Sequence, residues 1–112
     1  MPHDETYLLH ILLAARKITR VTARMTENDF FENDVVQDSV IRQISIIGEA
    51  ARNVSEGYRE LHDSIPWHEM IGMRHRLIHD YTRIDFGKVW LTVQKDIPLI
   101  IRLLEPLVPL ED

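Results

Sequence analysis

The sequence predicts an all-α fold: a small antiparallel four- to five-helix bundle forming a single domain over residues 1–112. Three observations predict it. Apolar residues recur at the spacing of one helix face, strict alternation of apolar and polar residues is absent, and only four glycines occur, none after Asn or Asp. An apolar fraction of 45% is ordinary for a globular chain that buries one core. These features exclude a disordered or fibrous protein.

The first predicted helix runs from about Asp4 to Met25, with Asp4 as its cap, and the second from about Asp34 to Ser55. The second helix is apolar over more than half of its circumference, which is typical of a central helix or of one that contacts a second subunit. Gly48 lies inside this apolar arc, where glycine costs helix stability. We therefore expect another helix to approach closely at Gly48.

Three shorter helices are predicted at about 66–78, 85–97 and 98–104. Pro66 suits the first turn of a helix, and Asp85 can cap the next one. Pro98 cannot continue a regular helix, so it should kink the chain or begin a last short helix. The remaining segments are predicted connections, at 26–33, 58–65 and 80–84. We expect Phe30 and Phe31 to anchor the first connection, and Trp67 and Trp90 to pack in the core or at an interface.

The net charge of -5 at first argues against a nucleic-acid partner. However, five acidic residues lie within 26–41, which holds no Lys or Arg, so the rest of the chain has 18 − 5 = 13 acids and 13 bases. Basic residues form two groups, Arg16, Lys17, Arg20 and Arg24, and Arg74, Arg76, Arg83 and Lys88. The default interpretation of the first group is a solvated helix face. The functional alternative is a row of side chains that contact phosphates. A polyanion responds to the local field of a cleft, so we expect the acidic segment to lie away from it.

Membrane insertion and secretion are not expected. No apolar run is long enough to span a bilayer, and the first residues lack the pattern of a signal peptide. The chain has no cysteine, which excludes disulfides and thiolate metal sites. The sequence therefore predicts a cytoplasmic protein.

The segment 65–81 carries the candidate chemistry. Arg74 falls within the apolar arc of its predicted helix, where an unpaired charge is costly to bury. The simplest interpretations of Arg74 alone are a structural ion pair with a carboxylate from the second or fourth helix, or a side chain that reaches the edge of the apolar face. His79 would lie on the opposite side of a continued helix. The two can meet if the helix ends near residues 77–78, or if two subunits share a cleft. Together they would form a compact phosphate site, because arginine grips phosphate oxygens and histidine exchanges a proton near neutral pH.

Three histidines suggest a competing metal site. His68, His75 and His79 would share a polar face if the helix continued, and the last two have the spacing of a metal-binding pair. However, neither His68 nor the pair His75 and His79 completes the zinc-protease signature. Histidines on a solvated helix face are a commoner explanation of this pattern. We therefore predict no metal and no cofactor.

The run from Arg74 to Tyr81 matches the pattern R-x4-H-x-Y. With the Ile-Gly-Glu-Ala run ending at Ala50, the Ile-Pro-Trp run ending at Trp67 and Gly72-Met-Arg74, it resembles the HepT-like branch of the HEPN superfamily. These are toxins paired with a minimal nucleotidyltransferase (MNT) antitoxin. The resemblance covers about residues 35–103, and the first helix is also in its expected place.

The resemblance implies a homodimer whose two motifs face one cleft, and metal-independent cleavage of RNA. Arg74 would hold the scissile phosphate, and His79 would activate the ribose 2′-hydroxyl or protonate the leaving oxygen. Tyr81 would be the residue that the antitoxin modifies with AMP, in a complex that can be a higher hetero-oligomer. Asp80 would reduce the local positive field. Candidate contacts to RNA phosphates are Arg16, Arg20, Arg24, Arg76 and Arg83.

A non-catalytic helical module of the same family is the alternative. In that case the apolar arc of the second helix would serve assembly with a partner, and no RNA would be cleaved. RNA turnover discriminates between the two.

Overall fold

The computed structural model describes residues 2–80 and 82–109. The helices are α1 (Pro2–Val21), α2 (Glu27–Phe31), α3 (Asp34–Asn53), α4 (Glu56–Leu61), α5 (Trp67–Leu77), α6 (Phe86–Leu91) and α7 (Ile97–Leu104). A short antiparallel hairpin follows α5, with strands β1 (Ile78–Asp80) and β2 (Arg83–Ile84). A π-helical turn (Thr92–Asp96) joins α6 to α7, and a 3₁₀ turn (Glu105–Leu107) follows. The predicted all-α bundle is confirmed.

The core lies around α3, which packs against α1 on one side and α5 on another, while α7 packs against α1. The wide apolar arc of α3 is therefore mostly covered within one chain, with Val40, Ile44 and Ile47 fully buried. Trp67 and Trp90 are also buried, as expected. No helix of residues 2–80 and 82–109 combines the length and apolar character needed to cross a membrane.

Gly48 allows α3 and α5 to approach closely. A Cβ atom there would lie 3.3 Å from the carbonyl oxygen of Met70 and 3.4 Å from that of Ile71. The close approach expected from the sequence is confirmed, and it brings α5 against α3 one turn before Arg74.

Replacing Gly48 by alanine should lower the free energy of unfolding by about 1–2 kcal/mol. The new methyl group meets backbone carbonyls that cannot turn away, and this cost exceeds the gain in helix propensity. The matched control is Gly57→Ala in α4, where an added Cβ meets no atom within 4 Å. That substitution should stabilise the protein by about 0.5–1 kcal/mol. Urea unfolding of both variants measures the difference, and equal stability of the two would contradict the explanation.

The first helix ends earlier than predicted, at Val21 instead of Met25. The Thr22 hydroxyl donates to the Ile18 carbonyl at 2.8 Å, and Arg24 has a φ of 65°, in the left-handed region where a helix cannot continue. Arg24 therefore does not share a helix face with Arg16 and Arg20, which corrects that prediction.

Asp4 is not the cap of α1, because the helix already begins at Pro2. Its side chain is only 5% exposed and accepts hydrogen bonds from the backbone N–H and the hydroxyl of Ser55, both at 2.8 Å. The carboxylate instead ties α1 to the residue that caps α4.

These hydrogen bonds make stability depend on pH. The bond from the Ser55 N–H, followed by that from its hydroxyl, holds the pKa of Asp4 below its ordinary value of 3.8. A lowered pKa stabilises the fold fully above pH 3.8, and this stabilisation is lost as the pH falls through the folded-state pKa. Asp4→Asn should lower the free energy of unfolding at pH 7 by about 1.5–3 kcal/mol and flatten its loss in acid. Denaturation from pH 2 to pH 7 checks this, and the exposed neighbour variant Glu5→Gln should leave both unchanged.

Two predicted connections contain short helices. Helix α2 lies within 26–33, where Thr26 and Asp29 form a reciprocal capping box, and α4 overlaps 58–65. Phe30 is fully buried against Trp90, with ring centroids 5.4 Å apart, whereas Phe31 is 44% exposed. The anchor prediction is therefore right for Phe30 and wrong for Phe31.

Pro98 lies in the first turn of α7. Of the two predicted alternatives, a kink or the start of a last short helix, this is the second. The π-helical turn precedes it, and the Ile97 N–H bonds to the Thr92 carbonyl, five residues back instead of four. The wider turn accommodates a residue that has no N–H and whose ring crowds the preceding turn.

Candidate functional site

Arg74 lies in the last turn of α5 with its side chain exposed. Its Nε donates a hydrogen bond to Ser45 Oγ on α3 at 3.1 Å, and that hydroxyl donates to the Ile41 carbonyl at 3.1 Å. No carboxylate within residues 2–80 and 82–109 forms an ion pair with Arg74. Of the two interpretations of Arg74 alone, the structural ion pair is therefore wrong, and the exposed head group agrees with a side chain that reaches the edge of the apolar face. A neutral hydroxyl orients the guanidinium and leaves its charge uncompensated.

Arg74 lines an open pocket of about 490 Å³ between α1, α3 and α5. The other lining residues are Tyr7, His10, Arg42, Ser45, Ile46, Glu49, Ala50 and Asn53. None of them comes from the acidic segment 26–41, in agreement with the expectation from the sequence. Glu49 is the one acid in this lining, and it pairs with Arg52 at 3.7 Å.

The chain leaves the helix immediately after Leu77, and Ile78 is extended. His79 is thus placed on β1 with an exposed side chain, so the helix end on which the pairing with Arg74 depends is present. Within one chain, however, His79 is not among the residues lining the pocket of Arg74, and no hydrogen bond joins the two side chains. Tyr81 lies outside the described residues.

Asp80 holds the turn of the hairpin together. Its carboxylate accepts hydrogen bonds from the hydroxyl and the N–H of Thr82, both at 2.8 Å, and from Arg83 Nε at 2.7 Å. The Thr82 hydroxyl, followed by the Arg83 guanidinium, lowers the pKa of the Asp80 carboxyl below its ordinary value. Arg83 therefore neutralises much of the negative charge of Asp80. Its guanidinium is engaged in this ion pair and is less available to bind a phosphate.

The other predicted phosphate contacts are scattered. Arg16 pairs with Glu105 at 3.0 Å, and Arg24 lies beyond the end of α1. Arg76 lines a different, smaller pocket that also contains Glu69 and Asp96. Of the five, only Arg20 lines a pocket that adjoins the one containing Arg74.

The sequence analysis missed three residues that lie near Arg74: Tyr7, His10 and Arg42. His10 shares a face of α1 with Lys17 and Arg20, at spacings of seven and ten residues, and this periodicity was the available signal. Arg42 lies in a part of α3 whose apolar residues dominate the pattern.

The three histidines considered as a metal site are not brought together with further ligands. The described residues contain no group of three or more His, Asp or Glu side chains placed to hold a metal ion. His68 lines a separate pocket beside Glu60 and Asp63.

Comparison with known proteins identifies the family. A family model described as ribonuclease HepT-like matches residues 11–107. The chain belongs to the HepT-like ribonuclease family. Its enzyme class is therefore ribonuclease, as the resemblance implied.

Individual relatives agree with this assignment. The chain is 41% identical over 92 residues to a Thermococcus cleftensis protein named "Probable ribonuclease HepT", covering 82% of this chain and 84% of the relative. It is 47% identical over 92 residues to a Methanocaldococcus jannaschii protein whose name combines gamma-glutamylcyclotransferase with a provisional RNase designation. That match covers 82% of this chain but only 41% of the longer relative. No solved structure matches the chain.

Proposed function

We propose that this HepT-like ribonuclease is the toxin of a toxin–antitoxin module and cleaves RNA internally without a metal ion. The observation that carries the proposal is the state of Arg74. It is exposed, oriented by Ser45 and free of any carboxylate partner among the described residues, as a phosphate-binding arginine should be. His79 follows after a helix end, on the hairpin.

In the proposed reaction a histidine removes the proton from the ribose 2′-hydroxyl, and the 2′-oxygen attacks the phosphorus. The bond from phosphorus to the 5′-oxygen breaks, and a second, protonated histidine gives its proton to that leaving oxygen. Arg74 stabilises the added negative charge on the phosphate oxygens in the transition state. The products are a 2′,3′-cyclic phosphate and a 5′-hydroxyl.

A homodimer supplies the two histidines that this mechanism needs. One chain offers one His79, and within that chain His79 does not line the pocket of Arg74. Two chains that meet across their motifs would place both histidines and both arginines in one cleft. This arrangement explains why the site is incomplete in a single chain.

The test of the function is cleavage of a defined RNA by the purified protein in the presence of EDTA. We expect cleavage to continue, with cyclic phosphate and 5′-hydroxyl ends on the products. Products with 5′-phosphate and 3′-hydroxyl ends, or activity that is lost with EDTA and restored by a divalent ion, would contradict the mechanism. Absence of turnover by well-folded dimer would favour a non-catalytic module.

We further propose that an MNT-type nucleotidyltransferase antitoxin transfers AMP from ATP to the phenol oxygen of Tyr81. The phenol loses its proton as its oxygen bonds to the α-phosphorus, and pyrophosphate leaves. The neighbouring Asp80 and Thr82 are exposed, so an enzyme could reach the residues on either side of the tyrosine, which supports the proposal. An AMP group would add negative charge and bulk close to His79, and so repel RNA.

Co-expression with the candidate antitoxin should add the mass of AMP to the wild-type chain but not to Tyr81→Phe. The modified chain should lose RNA cleavage, because the added phosphate competes for the positive site. Intact-mass measurement and a cleavage assay on the same samples check both parts. The Tyr58→Phe control should receive as much AMP as the wild-type chain. If Tyr81→Phe still receives AMP, another residue is the acceptor.

A further inference from the structure

Two adjoining pockets lie along the face between α1 and α3. One, of about 490 Å³, contains Arg74, and the other has a volume of about 420 Å³. The two pockets share His10, Arg42 and Ile46, and the second adds Lys17 and Arg20 at its far end. We call these two pockets together the α1–α3 groove.

The α1–α3 groove contains basic side chains whose charges are not compensated. Lys17, Arg20, Arg42 and Arg74 are exposed, and none of them forms an ion pair within the described part of the chain. By contrast, four other basic residues do have carboxylate partners, namely Arg16, Arg52, Arg83 and Lys88. The one acid in the groove, Glu49, already pairs with Arg52. The groove therefore presents a positive field to solvent although the net charge of the chain is negative.

Aromatic rings lie at the end of the groove close to Arg74. The rings of Tyr7 and His10 meet edge to face, with centroids 6.1 Å apart, and both line the pocket of Arg74. Leu13, which is 50% exposed, and half-buried Ile46 add apolar surface farther along. A positive groove with aromatic and apolar surface is the arrangement that binds single-stranded nucleic acid, whose bases are free to stack.

The dimensions and charge of the groove favour a single strand over a second copy of this chain. From Tyr7 to Arg20 the groove follows one helix for about 20 Å, which accommodates several nucleotides. Beyond the shared motif cleft, a symmetric contact between two such grooves would also bring both copies of Lys17, Arg20 and Arg42 together, and like charges at an interface are costly.

We propose that the α1–α3 groove binds the single-stranded RNA next to the scissile phosphate. Lys17, Arg20 and Arg42 contact successive phosphates, and Tyr7 and His10 contact bases near Arg74. The groove thus sets how much RNA the enzyme grips beyond the bond that it cuts. This inference rests on the proposed function, since Arg74 marks the scissile phosphate.

The test is the affinity for a labelled single-stranded RNA of about 12 nucleotides, measured in a His79→Ala background so that the RNA stays intact. The variant Lys17→Gln/Arg20→Gln/Arg42→Gln should bind at least about 10-fold more weakly, and the slope of log K against log salt should fall by about 2. The matched control Lys88→Gln/Lys95→Gln/Arg102→Gln removes the same charge from α6, the π-helical turn and α7. It should change neither quantity, and thermal melts establish that both variants are folded.

Three results would overturn the proposal: unchanged affinity of the groove variant, an equal loss in the control, or a change in oligomeric state instead of affinity. The last would show that the groove is a contact between copies. Cleavage assays on both triple variants with His79 intact distinguish a failure of the groove proposal from a failure of the proposed function. If the groove is not used, cleavage still depends on His79 and is equal in both triple variants. If the proposed function is wrong, cleavage does not depend on His79 at all.

Discussion

Replacing His79 by alanine should reduce the rate of RNA cleavage about 10²- to 10⁴-fold, the contribution typical of a general acid or base. The imidazole would move a proton at the 2′-hydroxyl or at the leaving oxygen, and the neighbouring Asp80 carboxylate is already engaged in hydrogen bonds with Thr82 and Arg83. Initial rates in EDTA with one defined RNA measure the loss.

The matched control is His75→Ala. His75 is an exposed histidine on α5, four residues before His79, with no bonded partner that the structure describes. We expect that variant to retain nearly full activity. If the two alanine variants are equally active, His79 has no part in the chemistry; if both are equally impaired, the loss is not specific to the motif.

Replacing Arg74 by glutamine should reduce cleavage about 10²- to 10³-fold, because a charge that develops on the phosphate loses its stabilising partner. Lysine at this position should recover only part of the activity, since it cannot grip two phosphate oxygens at once. The loss should appear mainly in kcat when Arg74 acts in the transition state. Arg76→Gln, two residues along the same helix but in another pocket, is the control and should change activity little.

Substitutions of Ser45 test the role of its hydrogen bond with Arg74. Its hydroxyl accepts the hydrogen bond from Arg74 Nε at 3.1 Å, so Ser45→Ala frees the guanidinium without removing it. A smaller loss than that of Arg74→Gln, partly recovered in Ser45→Thr, would identify Ser45 as a positioning residue. Activity of Arg74→Gln equal to that of wild type would exclude Arg74 from the site.

Much of the fold was predictable because it depends on local patterns. The close approach at Gly48 followed from a glycine within an apolar helix face, and the break after Leu77 followed from the change in pattern at Asp80. Helix α2 was missed although its signal, Thr26 three residues before Asp29, is local and readable. The acidic character of that segment concealed a capping box.

Other features depend on contacts between distant parts of the chain. Asp4 was interpreted as a helix cap, but its partner Ser55 is 51 residues away in the sequence. Likewise, a sequence shows how many cations a segment carries but not which of them have carboxylate partners. Arg16 and Arg83 were equal candidates with Arg20 until their pairs with Glu105 and Asp80 became visible.

The α1–α3 groove illustrates the same limit. Tyr7 and His10 carried no signal as isolated residues on the first helix, and Arg42 was one charge on a mainly apolar helix. These residues line one pocket with Arg74 only because α1 packs along α3 in the folded chain. The positive surface that the net charge concealed is therefore a property of the packed helices.

In the proposed enzyme, two chains contribute their His79 residues to one cleft. The most direct test is RNA cleavage by dimers formed on co-refolding wild-type chains with an equal amount of His79→Ala chains. If both histidines are needed, only wild-type homodimers cleave at the full rate, and activity should fall to about one quarter of that of the same total amount of wild-type protein. Activity of about one half would show that each chain works alone, and would contradict the shared site.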